Sequence, residues 1–371
     1  MEIQENGGMK IVIDLTSLSY HLTGIERYAL CITKEMLNID CENTYVLIFR
    51  DTVYSDFSGY IDGKRVCSKI LYGNNKLLFY QVILPYALYG IKADKYLFLA
   101  FTSPVLFWRK GIVNTIHDMG VWDCPSSMKF LQRLYFKAAY RIAAFASWRI
   151  LTVSEFSRKR IETILKIPGQ KLEVVHSALT KQLKEANTIP YKKVKLHYHL
   201  PDHYIMALST IEPRKNLPLL LEAYDKIKDS VDYDLVLVGR TGWKMNDVIT
   251  RYSDKSRIHL TGFIPDEEVA QIYRNALCFV FPSLYEGFGL PPMEALALGT
   301  PVISSDAASM PEILQDRAVY FENNNKEALV ELLLQLPDRV KQMPVGWNDY
   351  QRRNFNFETS ALKLHTFLNT N

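Results

Sequence analysis

Short apolar, β-branched runs alternate with amphipathic stretches of helical period along the whole chain, the pattern that βαβ units of a parallel sheet leave in a sequence. In the first half the predicted strands are 10–18, 45–49, 96–100, 112–117, 149–154 and 171–176. In the second half they are 204–209, 234–239, 258–262, 278–282 and 301–305, separated by predicted helices such as 217–228, 266–276 and 326–336. The fold class is α/β. Between the two series, residues 177–203 are polar and hold no sustained period, which predicts a linker between two doubly wound domains, 1–189 and 190–371. A C-terminal helix over about 357–369 is expected to pack back toward the first domain. Doubly wound sheets bind ligands beyond the carboxyl ends of their strands, so motifs just after strands outrank motifs just before them.

Of the 371 residues, 48% are hydrophobic, 23% charged and 12% aromatic, which excludes disordered and fibrous classes. Net charge is +4, but it is unevenly spread: residues 1–185 hold 24 Lys+Arg against 17 Asp+Glu, and residues 186–371 hold 20 against 23. Two domains with different partners fit that asymmetry. Five cysteines with no Cys-x-x-Cys pair read as reduced thiols, and the acidic start MEIQENGGMKIVIDL is unlike an export signal. Both predict a cytoplasmic protein. The most apolar stretch, 77–108, is broken by Gln81, Pro85, Lys92, Asp94 and Lys95, and is not expected to span a membrane.

The densest chemical signal is CFVFPSLYEGFGLPPMEALALGTPVISSD, residues 278–306. A buried strand runs into a loop holding Glu286, Gly287 and Gly289. Pro291 and Pro292 then open a helix expected to carry Glu294 in its first turn. Glycines let backbone amides approach a ligand closely, a helix start suits a phosphate, and carboxylates accept hydrogen bonds from hydroxyls. Together they suit a nucleotide sugar. A tight turn followed by an acid that complements the helix dipole is the bland alternative.

The Glu-x7-Glu spacing from Glu286 to Glu294, inside EGFGLPPMEALALGTPVI, resembles family 4 of the retaining glycosyltransferases, whose GT-B architecture is two Rossmann-like domains facing across a cleft. Further segments agree in order: LTGIERY, TIHDMGVWDCP, TVSEFSRKRI, STIEPRKNL, LVGRTGWK and GFIPDEEVAQIY. The resemblance implies that Arg214 and Lys215 neutralise the donor diphosphate and that Glu294 holds the ribose. By the same resemblance Glu286 lies by the donor sugar, and the amides of Phe288, Gly289 and Leu290 contact sugar or phosphate. It also implies that Gly24 lets the first loop approach the diphosphate, and that His117 faces the reacting centre. Cations placed where negative charge grows stabilise the transition state more than the ground state. Glu26 stands where many relatives carry glycine, which puts a carboxylate near the phosphates unless it serves as a first-turn helix acid. VVHSAL lacks the family's Asn-Gly turn.

Asp232-Tyr233-Asp234 mimics a metal-binding Asp-x-Asp but precedes its strand, so it is expected to be solvated and the donor to bind without metal. His197, His199 and His203 sit in the linker and are not expected to ligate. No Gly-x-Gly-x-x-Gly follows the first strand, which argues against a dinucleotide-dependent oxidoreductase.

Between Asp123 and Glu155 there is no acid, while Lys129, Arg133, Lys137 and Arg141 recur every four residues among aromatics. A helix gathers them into one stripe that suits an anionic membrane, so 129–149 is a candidate peripheral contact for a protein at the inner face of the cell membrane. A solvated basic face is the alternative, and nothing else resembles a nucleic-acid module. The resemblance therefore implies hexose transfer, best as mannose from GDP-mannose, to a glycan or lipid-linked glycan of a surface polysaccharide such as O-antigen. Retention comes from the resemblance, and with no nucleophile placed by the sequence a same-face displacement is expected, in which the leaving phosphate deprotonates the acceptor hydroxyl. UDP-glucose or UDP-GlcNAc as donor, and a catalytically silent scaffold subunit, are the alternatives.

Overall fold

A computed structural model describes residues 8–19, 22–180, 189–209, 212–240, 250–252 and 256–370. These form two compact units. The first comprises residues 1–119, 130–178 and 354–371; the second comprises 120–129 and 179–353.

The first unit is built on seven parallel strands: β1 (Lys10–Asp14), β2 (Thr44–Arg50), β3 (Val66–Leu71), β4 (Lys95–Phe98), β5 (Ile112–Thr115), β6 (Arg149–Thr152) and β7 (Leu172–Val174). Their order is β3-β2-β1-β4-β5-β6-β7, so the direction of winding reverses between β1 and β4. Parallel strands are covered on both faces, which is why β1 reads as an unbroken apolar run and Ile11, Val12 and Ile13 are fully buried. On one face, Val12, Ile48, Tyr96 and Phe98 pack against Phe79, Leu84 and Leu88 of a helical stretch over 76–89.

The second unit has six strands: β8 (Tyr204–Leu208), β9 (Asp234–Val238), β10 (Ile258–Gly262), β11 (Cys278–Phe281), β12 (Val302–Ser305) and β13 (Val319–Phe321). Their order, β10-β9-β8-β11-β12-β13, puts the reversal between β8 and β11. Helices Leu217–Ile227 and Lys326–Leu334 pack together over one face through Leu220, Tyr224, Leu329 and Leu333. The Tyr233 hydroxyl, buried there, donates to the Leu333 carbonyl at 2.6 Å.

Edge strands β3 and β13 are absent from the predicted series. β3 reads VCSKIL, with Lys69 on an intermediately buried strand, and β13 has only three residues, too short for a period. Within the predicted linker the structure holds a helix, Tyr191–His197, which packs against helix Asp266–Asn275; Val194 is its only buried residue, so it leaves no periodic trace. The 189/190 division adjoins residues 181–188, which lie outside the described residues. Segment 120–129, counted with the first domain in the sequence, groups with the second unit, where turn Pro125–Ser127 lies beside Pro213–Lys215. Helix Phe357–Asn369 belongs to the first unit and packs on helix Gly24–Ile39, with Ser360 Oγ donating to the His176 carbonyl at 2.8 Å.

Candidate active site

In the second unit the winding reverses at the carboxyl ends of β8 and β11, and the segments that follow those two strands carry most of the predicted residues. The chain leaving β8 forms the short turn Pro213–Lys215, closed by Asn216 in the left-handed conformation (φ 51°). Leu284, after β11, donates its N–H to the Arg214 carbonyl at 2.9 Å, and Ser283 Oγ reaches the same carbonyl at 3.2 Å. One backbone bond and one from a serine hydroxyl thus lock the two loops together.

Glu286 lies at the centre of what they hold. Its Oε1 accepts from Lys215 Nζ at 2.7 Å and from Ser283 Oγ at 2.6 Å, while Arg214 Nη1 stands 4.0 Å from Oε2. Burial opposes ionisation of this carboxyl, but Lys215 and Arg214 outweigh it and hold its pKa below the ordinary value. It is an anion. Arg214 also faces Glu212 Oε1 at 3.4 Å, so each cation meets a carboxylate in the free protein. The serines that build this cradle, Ser283 with Ser305 and Ser309, were not picked out in the sequence. Ser305 Oγ donates to the Ser283 carbonyl at 2.6 Å, and Ser309 Oγ to the Glu286 carbonyl at 3.0 Å. Their signal is small polar residues at or just past the ends of buried strands, Ser283 and Ser305, and at the start of helix Met310–Leu314, Ser309, a composition common to ordinary loops.

Gly287, Phe288 and Gly289 are buried, and Gly289 caps helix Leu290–Ala297 with φ +90°. A Cβ on Gly289 would stand 2.4 Å from Cε of the fully buried Met310, so glycine is required there on two counts. Because Pro291 and Pro292 have no N–H, the donors that this helix start can offer reduce to the Gly289 and Leu290 amides. The helix opens at Leu290, which places Glu294 in its second turn, not the first. Glu294 therefore does not serve as a first-turn dipole acid; its Oε2 accepts from the Tyr273 hydroxyl at 3.2 Å. Burial, then the Glu294 carboxylate, pushes the Tyr273 phenol well up, so it remains a donor.

The backbone floor beside this site is tight. Gly239, after β9, has φ +138°, and a Cβ there would fall 1.9 Å from the Ser209 carbonyl oxygen. Ser209 Oγ, at the end of β8, is buried without a hydrogen-bond partner among the described residues, a polar atom left for a ligand or water to satisfy. Of the similar segments, Thr210, Ile211 and 241–244 lie outside the described residues.

Gly24 and His117 stand in the first unit. Gly24 opens helix Gly24–Ile39 after cap residue Thr23, whose N–H donates to Glu26 Oε2 at 2.7 Å. The carboxylate that departs from the family pattern is thus a capping acid. His117 follows β5 and its Nε2 lies 3.0 Å from the Leu99 carbonyl, just beyond β4. A carbonyl only accepts, so the ring proton sits on Nε2. Tyr28 packs edge-on against the ring at 5.1 Å, and burial lowers the imidazole pKa. The residue is held neutral.

The sequence decoys resolve differently. Asp234 opens β9 and pairs with Arg257 Nε at 2.9 Å and His259 Nε2 at 2.7 Å, so it is ion-paired where the sequence predicted a solvated acid. His197 stacks on Tyr198 at 4.5 Å. Among the described residues no three His, Cys, Asp or Glu side chains are grouped to hold a metal.

Residues 192–345 match the glycosyl transferases group 1 family. O-antigen chain mannosyltransferase B of Escherichia coli is 29% identical, across 94% of this chain and 97% of its own length. O-antigen chain mannosyltransferase RfbU of Salmonella typhimurium is 27% identical across 64% of each. Among solved structures, sucrose-phosphate synthase from Thermosynechococcus elongatus has a TM-score of 0.72 at 17% identity, covering 96% of this chain and 97% of that one. Anabaena HepE in complex with UDP and glucose has a TM-score of 0.70 at 16% identity, covering 97% and 99%. These neighbours share the α/β fold of two parallel-sheet, Rossmann-like domains.

Proposed function

We propose, from the premise that this chain is a glycosyltransferase with a group 1 domain at residues 192–345, that it transfers mannose from GDP-mannose to a glycan or lipid-linked glycan acceptor, with retention and without metal. The observation that carries the reading is the Lys215–Glu286–Arg214 cluster at the reversal point of the second sheet, beside the Gly289 turn. The two O-antigen mannosyltransferases supply the choice of sugar.

Cleaving a glycosyl–phosphate bond sends negative charge onto the departing diphosphate. Arg214 and Lys215 supply cations there, and the amides of Phe288, Gly289 and Leu290 supply donors. Since each cation already meets a carboxylate, the diphosphate enters by sharing them, and Glu286 keeps the Lys215 chain extended before the donor arrives. Glu286 and Glu294 accept from hydroxyls of the sugar and the ribose. His117, neutral, offers hydrogen bonding at the reacting centre without a charge of its own. The cytoplasmic face of a membrane is where such a donor and a lipid-linked acceptor meet.

Thermal shift with GDP, UDP, ADP and dTDP in EDTA tests the reading. Selective stabilisation by GDP, followed by slow hydrolysis of GDP-mannose that Lys215→Ala abolishes, is the expected result. Preference for UDP would move the donor to a UDP-sugar. No response to any nucleotide by folded protein, with glycan synthesis unaffected by Lys215→Ala, would leave a scaffold.

A further inference from the structure

The helix that bears Glu294, Leu290–Ala297, has eight residues, and the helix after β12, Met310–Leu314, has five. Pieces this short do not hold themselves in place by helix formation, so their position is set by what grips them from outside. Both frame the loop assigned to the glycosyl donor. The first is capped by Gly289; the second brings Met310 against Gly289 and follows Ser309, whose hydroxyl holds the Glu286 carbonyl. One segment of the second unit, residues 346–351, grips both helices.

Trp347 is buried, and its Nε1 donates to the Met293 carbonyl, inside the first helix, at 3.0 Å. Gln351 is fully buried. Its Nε2 donates to the Ile313 carbonyl at 3.0 Å and lies 3.4 Å from the Leu314 carbonyl and 3.9 Å from Met293 Sδ, so one amide touches both helices. Its Oε1 accepts from the Asn348 N–H at 3.1 Å, and Asn348 Oδ1 accepts from the Gln351 N–H at 2.9 Å, a reciprocal pair that fixes the glutamine side chain. Asn348 Nδ2 reaches Gln315 Oε1 at 3.0 Å, and Arg317 Nε donates to the Gly346 carbonyl at 3.1 Å. The segment is thus bonded along the turn that ends the second helix.

A buried amide bond adds little net stability over apolar atoms of the same shape, because water already bonds the amide in the unfolded chain. What it adds is direction. A methionine at 351 would fill the same space, but only a donor there ties the carbonyl end of Met310–Leu314 to Met293 at one mutual spacing. We propose that Trp347 and Gln351 are positioning residues for the glycosyl donor: they fix the two short helices against each other, and through them the Gly289 amide, Glu294 and the Glu286 backbone. Both stand beyond residue 345, where the stretch matched to the family ends. The inference rests on the donor reading above.

The test is titration of the full chain with GDP, UDP, ADP and dTDP, each variant then being compared on the nucleotide that the wild type binds most tightly. Trp347→Phe keeps an aromatic ring and removes the N–H; Gln351→Met keeps the length and removes the amide. Each is expected to raise the Kd about tenfold or more, since small displacements of binding groups are costly. In nucleotide-free protein, hydrogen exchange at the 288–290 amides should quicken in both variants while the amides of β9 keep their protection. Leu333→Ala, in the core on the other side of the sheet, is the control: it lowers the melting temperature and leaves the Kd where it was. Variants that bind as tightly as wild type overturn the proposal, and so does an equal loss of affinity in Leu333→Ala, which would make the effect one of general stability. Should either variant not fold, Asn348→Ala, at a half-buried position, gives the same comparison. A wild type that binds none of the four nucleotides removes the donor reading and this proposal with it; tight wild-type binding with unshifted variants removes this proposal alone.

Discussion

Lys215 Nζ sits 2.7 Å from Glu286 Oε1, and their side chains are only 14% and 9% exposed, so the cation assigned to the donor is neutralised before any donor is present. Removing one partner strands the other. Glu286→Gln is expected to destabilise the second unit by about 3 kcal/mol, less than a fully buried pair would lose because Lys215 keeps some water. Lys215→Met combined with Glu286→Gln should lose less than the sum of the single changes. Urea unfolding of the four proteins checks this, and additivity would mean the contact carries no energy.

The same pairing sets a pH dependence. Glu286 is held below its ordinary pKa of 4.5, so the unfolded chain binds its proton first. The stability it contributes is present above pH 4.5 and is lost as pH falls through the lowered folded value. Stability profiles of wild type and Glu286→Gln should therefore converge on acidification below 4.5 and run parallel above it.

His117 has the corresponding sign for a base. Its pKa is lowered from 6.5 by burial, so its contribution is full above 6.5 and is lost as the pH falls toward the folded value. Nitrogen-15 chemical shifts of the ring at pH 7 should show a neutral imidazole protonated at Nε2, the nitrogen 3.0 Å from the Leu99 carbonyl. An imidazolium at that pH would contradict the geometry.

Gly289→Ala forces φ +90° on an L side chain and pushes its Cβ against Met310 Cε. The expected cost is about 1–3 kcal/mol. Calorimetry of Gly289→Ala against Gly287→Ala checks it; an equal melting temperature for wild type and Gly289→Ala would show that the turn relaxes freely.

Much of the fold was legible because buried parallel strands such as IVID and CFVF announce themselves by composition alone. The candidate site was legible as far as position in the chain decides it: Arg214 and Lys215 follow β8, and Glu286 to Glu294 follow β11. What the sequence withheld is pairing. That Glu286 would bind Lys215, 71 residues away, depends on the order in which strands neighbour one another. Glu26 as a cap depends on a single backbone angle at Thr23. The cations at 133, 137 and 141 share one flank of helix Phe130–Ala146, as their spacing predicts, while which side of that helix meets the sheet is decided by the small Ala139, Ala143 and Ala144.

The return of the last residues to the first unit has a consequence for how the protein is made. Helix Phe357–Asn369 buries Ala361, Leu364 and Leu368 and packs on helix Gly24–Ile39, more than three hundred residues earlier. On the ribosome, the first unit keeps that apolar patch bare until residues 357–369 have emerged, after the second unit's 179–353. A nascent chain stalled anywhere in the second unit is thus an aggregation hazard, and cutting at the boundary between halves cannot release an intact first unit. A circular permutant that joins 354–371 ahead of residue 8 would let the first unit finish before the second begins.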